Sequence, residues 1–222
     1  ERAYPDHIGV EQLARELFIA TDTVNNWIKN KKVRPDVTIP FGKRKLHYFA
    51  KTSIDQIRNS IGLKKHDETT IYEDFFEFLE ERDYSLSYKM VMVLSFLKLA
   101  DEMGECNLDE LAEEFKAFYV DRLSKKIRVD KKSCPFSLEY LENKADIKAS
   151  ILKNPFEKFE RKRFMYHCKD LNRISFSSIL WSRFNLKVDL KRIKDQMIAD
   201  LQNYYANLDG IPNLEYWRSR WL

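Results

Sequence analysis

Apolar positions near the start of the chain recur at helical spacing in two short runs with almost nothing between them. Leu13, Ala14 and Leu17 form the first set, and Val24, Trp27 and Ile28 the second. Each follows the i, i+3, i+4 rhythm of a helix with one buried face. The spacing predicts two short helices within residues 10–29, with Thr21 as the N-cap of the second, its hydroxyl accepting from the free amides of the next turn. Pro35 stops any continuation. The rhythm then changes to two β-prone runs, Thr38-Ile39 and residues 46–49, around the bend Phe41-Gly-Lys-Arg-Lys45, which reads as a small hairpin. Helical spacing returns over residues 52–61 with Ile54, Ile57 and Ile61 inward, and Gly62 serves as a C-terminal stop. Residues 64–70 are polar and read as a linker.

From Ile71 the pattern is predominantly helical. Residues 71–82 form an acidic amphipathic helix with Phe75, Phe76, Phe78 and Leu79 on its apolar side. Residues 88–100 are apolar nearly all round, as befits a buried central helix ended by Gly104. A further helix over 108–122 turns Leu108, Leu111, Ala112, Phe115, Phe118 and Tyr119 inward, and the basic stretch 122–136 has no period and reads as loop. A helix from about Asp146 to Lys153 leads to Pro155, placed in the first turn of the next helix, 156–162. Two short strands follow around Lys169-Asp-Leu-Asn172, then helices over 179–184 and 190–208, the latter broken by Gly210-Ile-Pro212. The aromatic end, Tyr216-Trp-Arg-Ser-Arg-Trp-Leu222, is expected to tuck against the body.

Charge sharpens this division. Residues 1–66 hold 13 Lys+Arg against 7 Asp+Glu, whereas the remainder carries a net −2 of the total +4. Between Asn25 and Lys51 there are eight basic side chains and a single acid, Asp36. Positive charge is therefore concentrated beside the paired helices, where a polyanion would be held. No apolar run approaches the roughly 20 residues of a membrane span. Cys106, Cys134 and Cys168 are too scattered for a disulfide framework, so reduced thiols and a cytoplasmic setting are expected. The start, Glu1-Arg-Ala-Tyr-Pro5, without Met or an apolar signal, is expected to continue something longer.

Val10-Glu-Gln-Leu-Ala14, Thr21-Asp-Thr-Val24, Trp27-Ile28-Lys29, Arg34-Pro35 and Tyr48-Phe49, followed by the closing helix, resemble the winged helix-turn-helix of MerR-type and excisionase-type DNA-binding proteins. In that family the second helix enters the major groove and the hairpin, or wing, grips phosphate. The resemblance implies that Thr23, Asn25, Asn26 and Lys29 face DNA, with Lys31, Lys32 and Arg34 beside them and Lys43, Arg44 and Lys45 on the wing. Asp22 departs from the pattern, which places a base there; an acid repels phosphate unless it accepts from a cytosine amino group. A second resemblance covers residues 71–207. Ser87-Tyr-Lys-Met-Val-Met-Val-Leu, Glu114-Phe-Lys-Ala-Phe-Tyr-Val-Asp-Arg122 and Asn154-Pro-Phe-Glu-Lys-Phe-Glu-Arg-Lys162, with Leu180-Trp181, are similar to the region after the motor in bacterial superfamily 2 (DEAD/DEAH-type) helicases of restriction and anti-phage systems.

The expected fold is thus mainly α: a winged helix-turn-helix DNA-binding domain over 1–63, a linker over 64–70, and a helical domain over 71–222 with a β-hairpin near 164–176. Helix, helix, helix, hairpin makes residues 86–184 a candidate second, more acidic winged helix. Catalytic motifs are missing. The five glycines stand far apart, so no phosphate-cradling loop exists. His167-Cys168 lacks partners at ligand spacing, and an alternating strand pair explains it better than zinc. Glu142-Asn-Lys144 and Asp189-Leu-Lys191 lack the neighbouring acid a nuclease needs, and no nucleophile has a base beside it. The expected function is a non-enzymatic, cofactor-free accessory module that holds double-stranded DNA for the rest of a larger helicase or restriction protein, away from membranes. A protein-docking module and a stand-alone MerR-type regulator are the alternatives; the second half does not read as the long coiled coil such regulators use.

Overall fold

The computed structural model describes residues 4–209. By its internal contacts the chain divides between Thr70 and Ile71 into two compact units. In the first, β1 (His7–Gly9) runs directly into α1 (Val10–Glu16). Then come α2 (Thr21–Lys29), the hairpin β2 (Val37–Phe41) and β3 (Arg44–Ala50), and α3 (Ile54–Ile61) after a short 3-10 turn. The strands form an antiparallel sheet in the order β1-β3-β2. Ile8, Leu13, Ala14, Leu17, Val24, Val33, Phe49 and Ile57 make the core, and Trp27 and Ile28 pack against it half-buried. The bend between α1 and α2 is made by Phe18 at φ 58°. The amides of Phe18 and Ile19 return to the carbonyls of Arg15 and Ala14, which closes α1 in a left-handed cap.

In the second unit α4 (Ile71–Glu80) precedes α5 (Tyr88–Leu99), a helix with nine consecutive buried residues from Tyr88 to Phe96. After β4 (Glu105–Asn107) comes α6 (Leu108–Ser124), capped by Asn107, whose side chain accepts from the amides of Asp109 and Glu110. Then follow α7 (Leu138–Glu142), α8 (Lys144–Ile151), α9 (Glu157–Arg161), β5 (Met165–Cys168), β6 (Arg173–Phe176), α10 (Ser178–Arg183) and α11 (Asp189–Asp209). Phe75, Phe96, Phe176, Trp181 and Phe184 meet edge-on, stacked or tilted where α4, α5, β6 and the end of α10 converge. A buried polar cluster ties α5, α6 and α11 together. Asp130 accepts from the amide and hydroxyl of Ser87 (3.0 and 2.5 Å) and from Tyr204, and Ser87 also meets Tyr119 and Tyr205.

The expectation of a mainly α chain is corrected. The molecule is 56% helix and 13% strand, with two three-stranded antiparallel sheets, and is mixed α/β. What the hydrophobic pattern does not show are β1 and β4, each three residues long, too short to display alternation. β4 pairs with β6, so the strands expected near 164–176 belong to a sheet of order β4-β6-β5 rather than to a lone hairpin. Both units share one plan, in which a three-residue strand enters a helix and pairs with the second strand of a later hairpin. Local corrections follow the same logic. Helix α2 begins at Thr21 with Ala20 as its N-cap, so the Thr21 hydroxyl does not cap it. Helix α5 ends at Leu99, before Gly104. The helical backbone is broken at Asn154 (φ −164°, ψ 112°), and Pro155 follows it at the start of the next helical stretch, near its expected place. The break at 210–212 and the packing of 216–222 fall outside the described residues.

Candidate nucleic-acid interface

Helix α2 turns Val24 into the core and leaves Asp22, Asn25, Asn26 and Lys29 exposed, a set at i, i+3, i+4 and i+7 that shares one face. Thr23, expected among them, is half-buried. Asp22 occupies the first turn of a helix without a side-chain cap. Its carboxylate there complements the positive helix terminus, a local reason for an acid at this position. Beyond Lys29 the backbone closes tightly. Lys31 takes φ 58°, its amide bonds the Ile28 carbonyl at 3.1 Å, and the Lys32 amide bonds that of Trp27 at 2.8 Å. This six-to-one and five-to-two closure sets Lys29, Lys31 and Lys32 together at the end of the helix. Arg34 follows, also exposed, while Val33 between them is buried.

The second cationic cluster is the hairpin tip. Phe41 pairs with Arg44 across a two-residue turn begun by Gly42, at φ 59°; positive φ at this position is the reason for glycine in a tight hairpin turn. Lys43, Arg44 and Lys45 are all exposed. Pleating sends Arg44 to one face of the hairpin and Lys45 to the other, so the tip is positive on both sides.

Three other basic side chains of this unit are held within it. Arg15 pairs with Glu11 at 2.8 Å, Arg58 pairs with Asp55 and reaches the Glu16 carbonyl, and Lys51 bonds the Pro5 carbonyl at 3.0 Å. By contrast, Lys29, Lys31, Lys32, Arg34, Lys43, Arg44 and Lys45 make no ion pair with any described residue. Asp36, the single acid in that segment, accepts from the Ala50 amide at 2.8 Å, holding β3 in place. An acid one helical turn earlier marks Arg15 and Arg58 as paired in the sequence itself, whereas the Lys51 bond crosses the fold.

One exposed apolar residue of the tip, Phe41 at 67%, was not among the sequence candidates. Its signal is an aromatic ring at the turn itself, beyond the last residue needed to continue the strand into the core.

Lys89, like Arg122, is a buried cation of the second unit. It is 3% exposed, donates to the Phe78 carbonyl at 3.0 Å and lies 3.7 Å from the Phe78 ring centre. Burial, with the charge of Lys158 second, pushes its ammonium down to about 8. The shallow cleft beside it is bordered by Asp83, Ser85, Asn154 and Lys158, with Lys158 and Asp83 paired at 2.7 Å. His167 is half-buried on β5, its imidazole lowered chiefly by burial, and Cys168 beside it is exposed. Among the described residues no group of three or more His, Cys, Asp or Glu could hold a metal ion. No helix among them is long and apolar enough to cross a membrane.

Comparison with known proteins adds no relative: no family model matches the chain, and no curated protein or solved structure matches it.

Proposed function

We propose that the first unit binds double-stranded DNA, with the exposed face of α2 in the major groove and the hairpin tip on the phosphate backbone. The observation that carries this reading is the split among its cations. Those on Arg15, Lys51 and Arg58 are tied up within the unit, while those from Lys29 to Lys45 are exposed and unpaired around a helix flank bearing Asn25 and Asn26. Unpaired lysines and arginines gain by displacing counterions from phosphate. Asn25 and Asn26 supply bidentate side chains for base edges, adenine above all. Lys31 to Lys45 would position the unit without reading sequence. In this account the chain is an accessory module. Its place within a larger ATP-dependent helicase or restriction-type protein rests on the likeness of residues 71–207 alone.

The test separates the two roles. Reversing charge at Lys43, Arg44 and Lys45 together should weaken binding to every duplex alike. It should also reduce the slope of log K against log salt by about 2 to 3, since each phosphate contact contributes about 0.9. Asn26→Ala, assayed by selection from a random duplex pool, should flatten sequence preference while leaving that slope unchanged. Equal binding by the triple variant at moderate salt would remove the hairpin from the account. A chain that binds a protein partner through α2 but no duplex at low salt would favour the docking reading instead.

A further inference from the structure

Resting on that reading, we propose that Phe41 and Leu46 form an apolar wedge that enters between neighbouring base pairs of the bound duplex. The pairing register places Val37, Ile39 and Phe41 opposite Tyr48, Leu46 and Arg44. Directly paired residues share a face, so these six side chains line one side of the hairpin. The core residues Ile8 and Phe49 belong to the other side of the sheet, because Phe49 alternates with Tyr48. Along the strip, Val37, Ile39 and Tyr48 are half-buried, and exposure rises to 39% at Leu46 and 67% at Phe41.

The occupant follows from charge. The hairpin carries no acid from Val37 to Ala50, and the ring of Phe41 is paired with Arg44 and followed by Lys43 and Lys45. A purely apolar partner would have to bury those cations unpaired, at high cost. A nucleic-acid groove supplies phosphates on both sides for the cations and base faces at its floor for the ring. Apolar side chains inserted at a base step from the minor groove unstack it and kink the duplex, and flanking cations hold the backbone while they do so.

The full chain is titrated onto a duplex carrying a single 2-aminopurine and, in parallel, onto one labelled at both ends for energy transfer. The wild type should raise 2-aminopurine fluorescence and shorten the end-to-end distance. Phe41→Ala should lose both signals and bind roughly tenfold more weakly, as for loss of one base–aromatic stack, with its salt slope unchanged. Phe41→Trp should restore both. At 67% exposure the ring supports no core, so the melting temperature of Phe41→Ala should match wild type. Unaltered fluorescence and bending in Phe41→Ala, with duplex binding intact, would overturn the wedge and leave the DNA reading standing. Concentration-dependent self-association abolished by Phe41→Ala would assign the strip to a second copy of the chain and overturn it likewise. Absence of duplex binding by the wild type would overturn the DNA reading itself.

Discussion

At the end of α2 the backbone of Lys31 adopts φ 58°, the conformation in which glycine is favoured over any residue with a Cβ. Lys126 and Arg163 close α6 and α9 in the same way, the amides of Ile127 and Phe164 reaching back to the carbonyls of Arg122 and Phe159. A cation at a helix C-terminus is stabilised by the dipole, which offsets part of the strain in all three. Lys31→Gly therefore separates stability from binding. Thermal melting should show a gain of roughly 1 kcal/mol, while the salt slope of duplex binding falls by about one contact. Unchanged affinity and slope would assign Lys31 to the helix end alone. Lys89 makes a different prediction. Its folded-state value of about 8 lies below the ordinary 10.5, so the unfolded chain holds the extra proton between the two. The cost of burying its charge is complete below pH 8 and is relieved as pH rises toward 10.5. Raised tyrosines, Tyr84, Tyr88 and Tyr204 among them, act oppositely above pH 10, because burial favours their neutral form. The difference between Lys89→Met and wild type isolates the lysine. Urea titrations should show the variant's relative stability falling by roughly 2–3 kcal/mol from pH 7.5 to 10.5. A pH-independent difference would mean that Lys89 is neutral throughout or solvated.

Among elements, α10 approaches the turn before β4 closely at Gly104. A Cβ on Gly104 would lie 2.4 Å from the Trp181 ring, and the position has φ 74°. The ring is fixed from its other end by its Nε1 donating to the Glu102 carbonyl at 2.9 Å. Gly104→Ala should therefore destabilise the second unit by about 2 kcal/mol or more in chemical denaturation. It should cost measurably less in a Trp181→Leu background; additive losses would show that the ring is not the obstacle. The elements legible in the sequence were those long enough to repeat a period. Helices α5, α6 and α11 and the β2–β3 hairpin stand within a few residues of their expected limits. β1, β4 and the five-residue α7 were not legible. Of α7 only Leu141 is fully buried and Leu138 is 61% exposed, so it carries no stripe.

Across the whole molecule, two units built on one strand order differ in charge, +4 over residues 1–70 and 0 over residues 71–222. Shared architecture thus does not dictate shared partners; the side chains on it do. Most of the candidate interface was readable because positive charge is conspicuous when only Asp36 interrupts it. Which cations are left unpaired was readable only in part: Arg15 and Arg58 have an acid at helical spacing, whereas the Lys51 bond to the Pro5 carbonyl is created only by folding. The exposure of Phe41 was signalled by its place at the bend, beside Gly42. The central claim is that the unpaired cations from Lys29 to Lys45 hold DNA. It is tested most directly by fluorescence anisotropy of the full chain on random-sequence duplex across a salt series. The account predicts a linear fall of log K with log salt at a slope between about −3 and −6. A flat response, or no binding at the lowest salt, would contradict it.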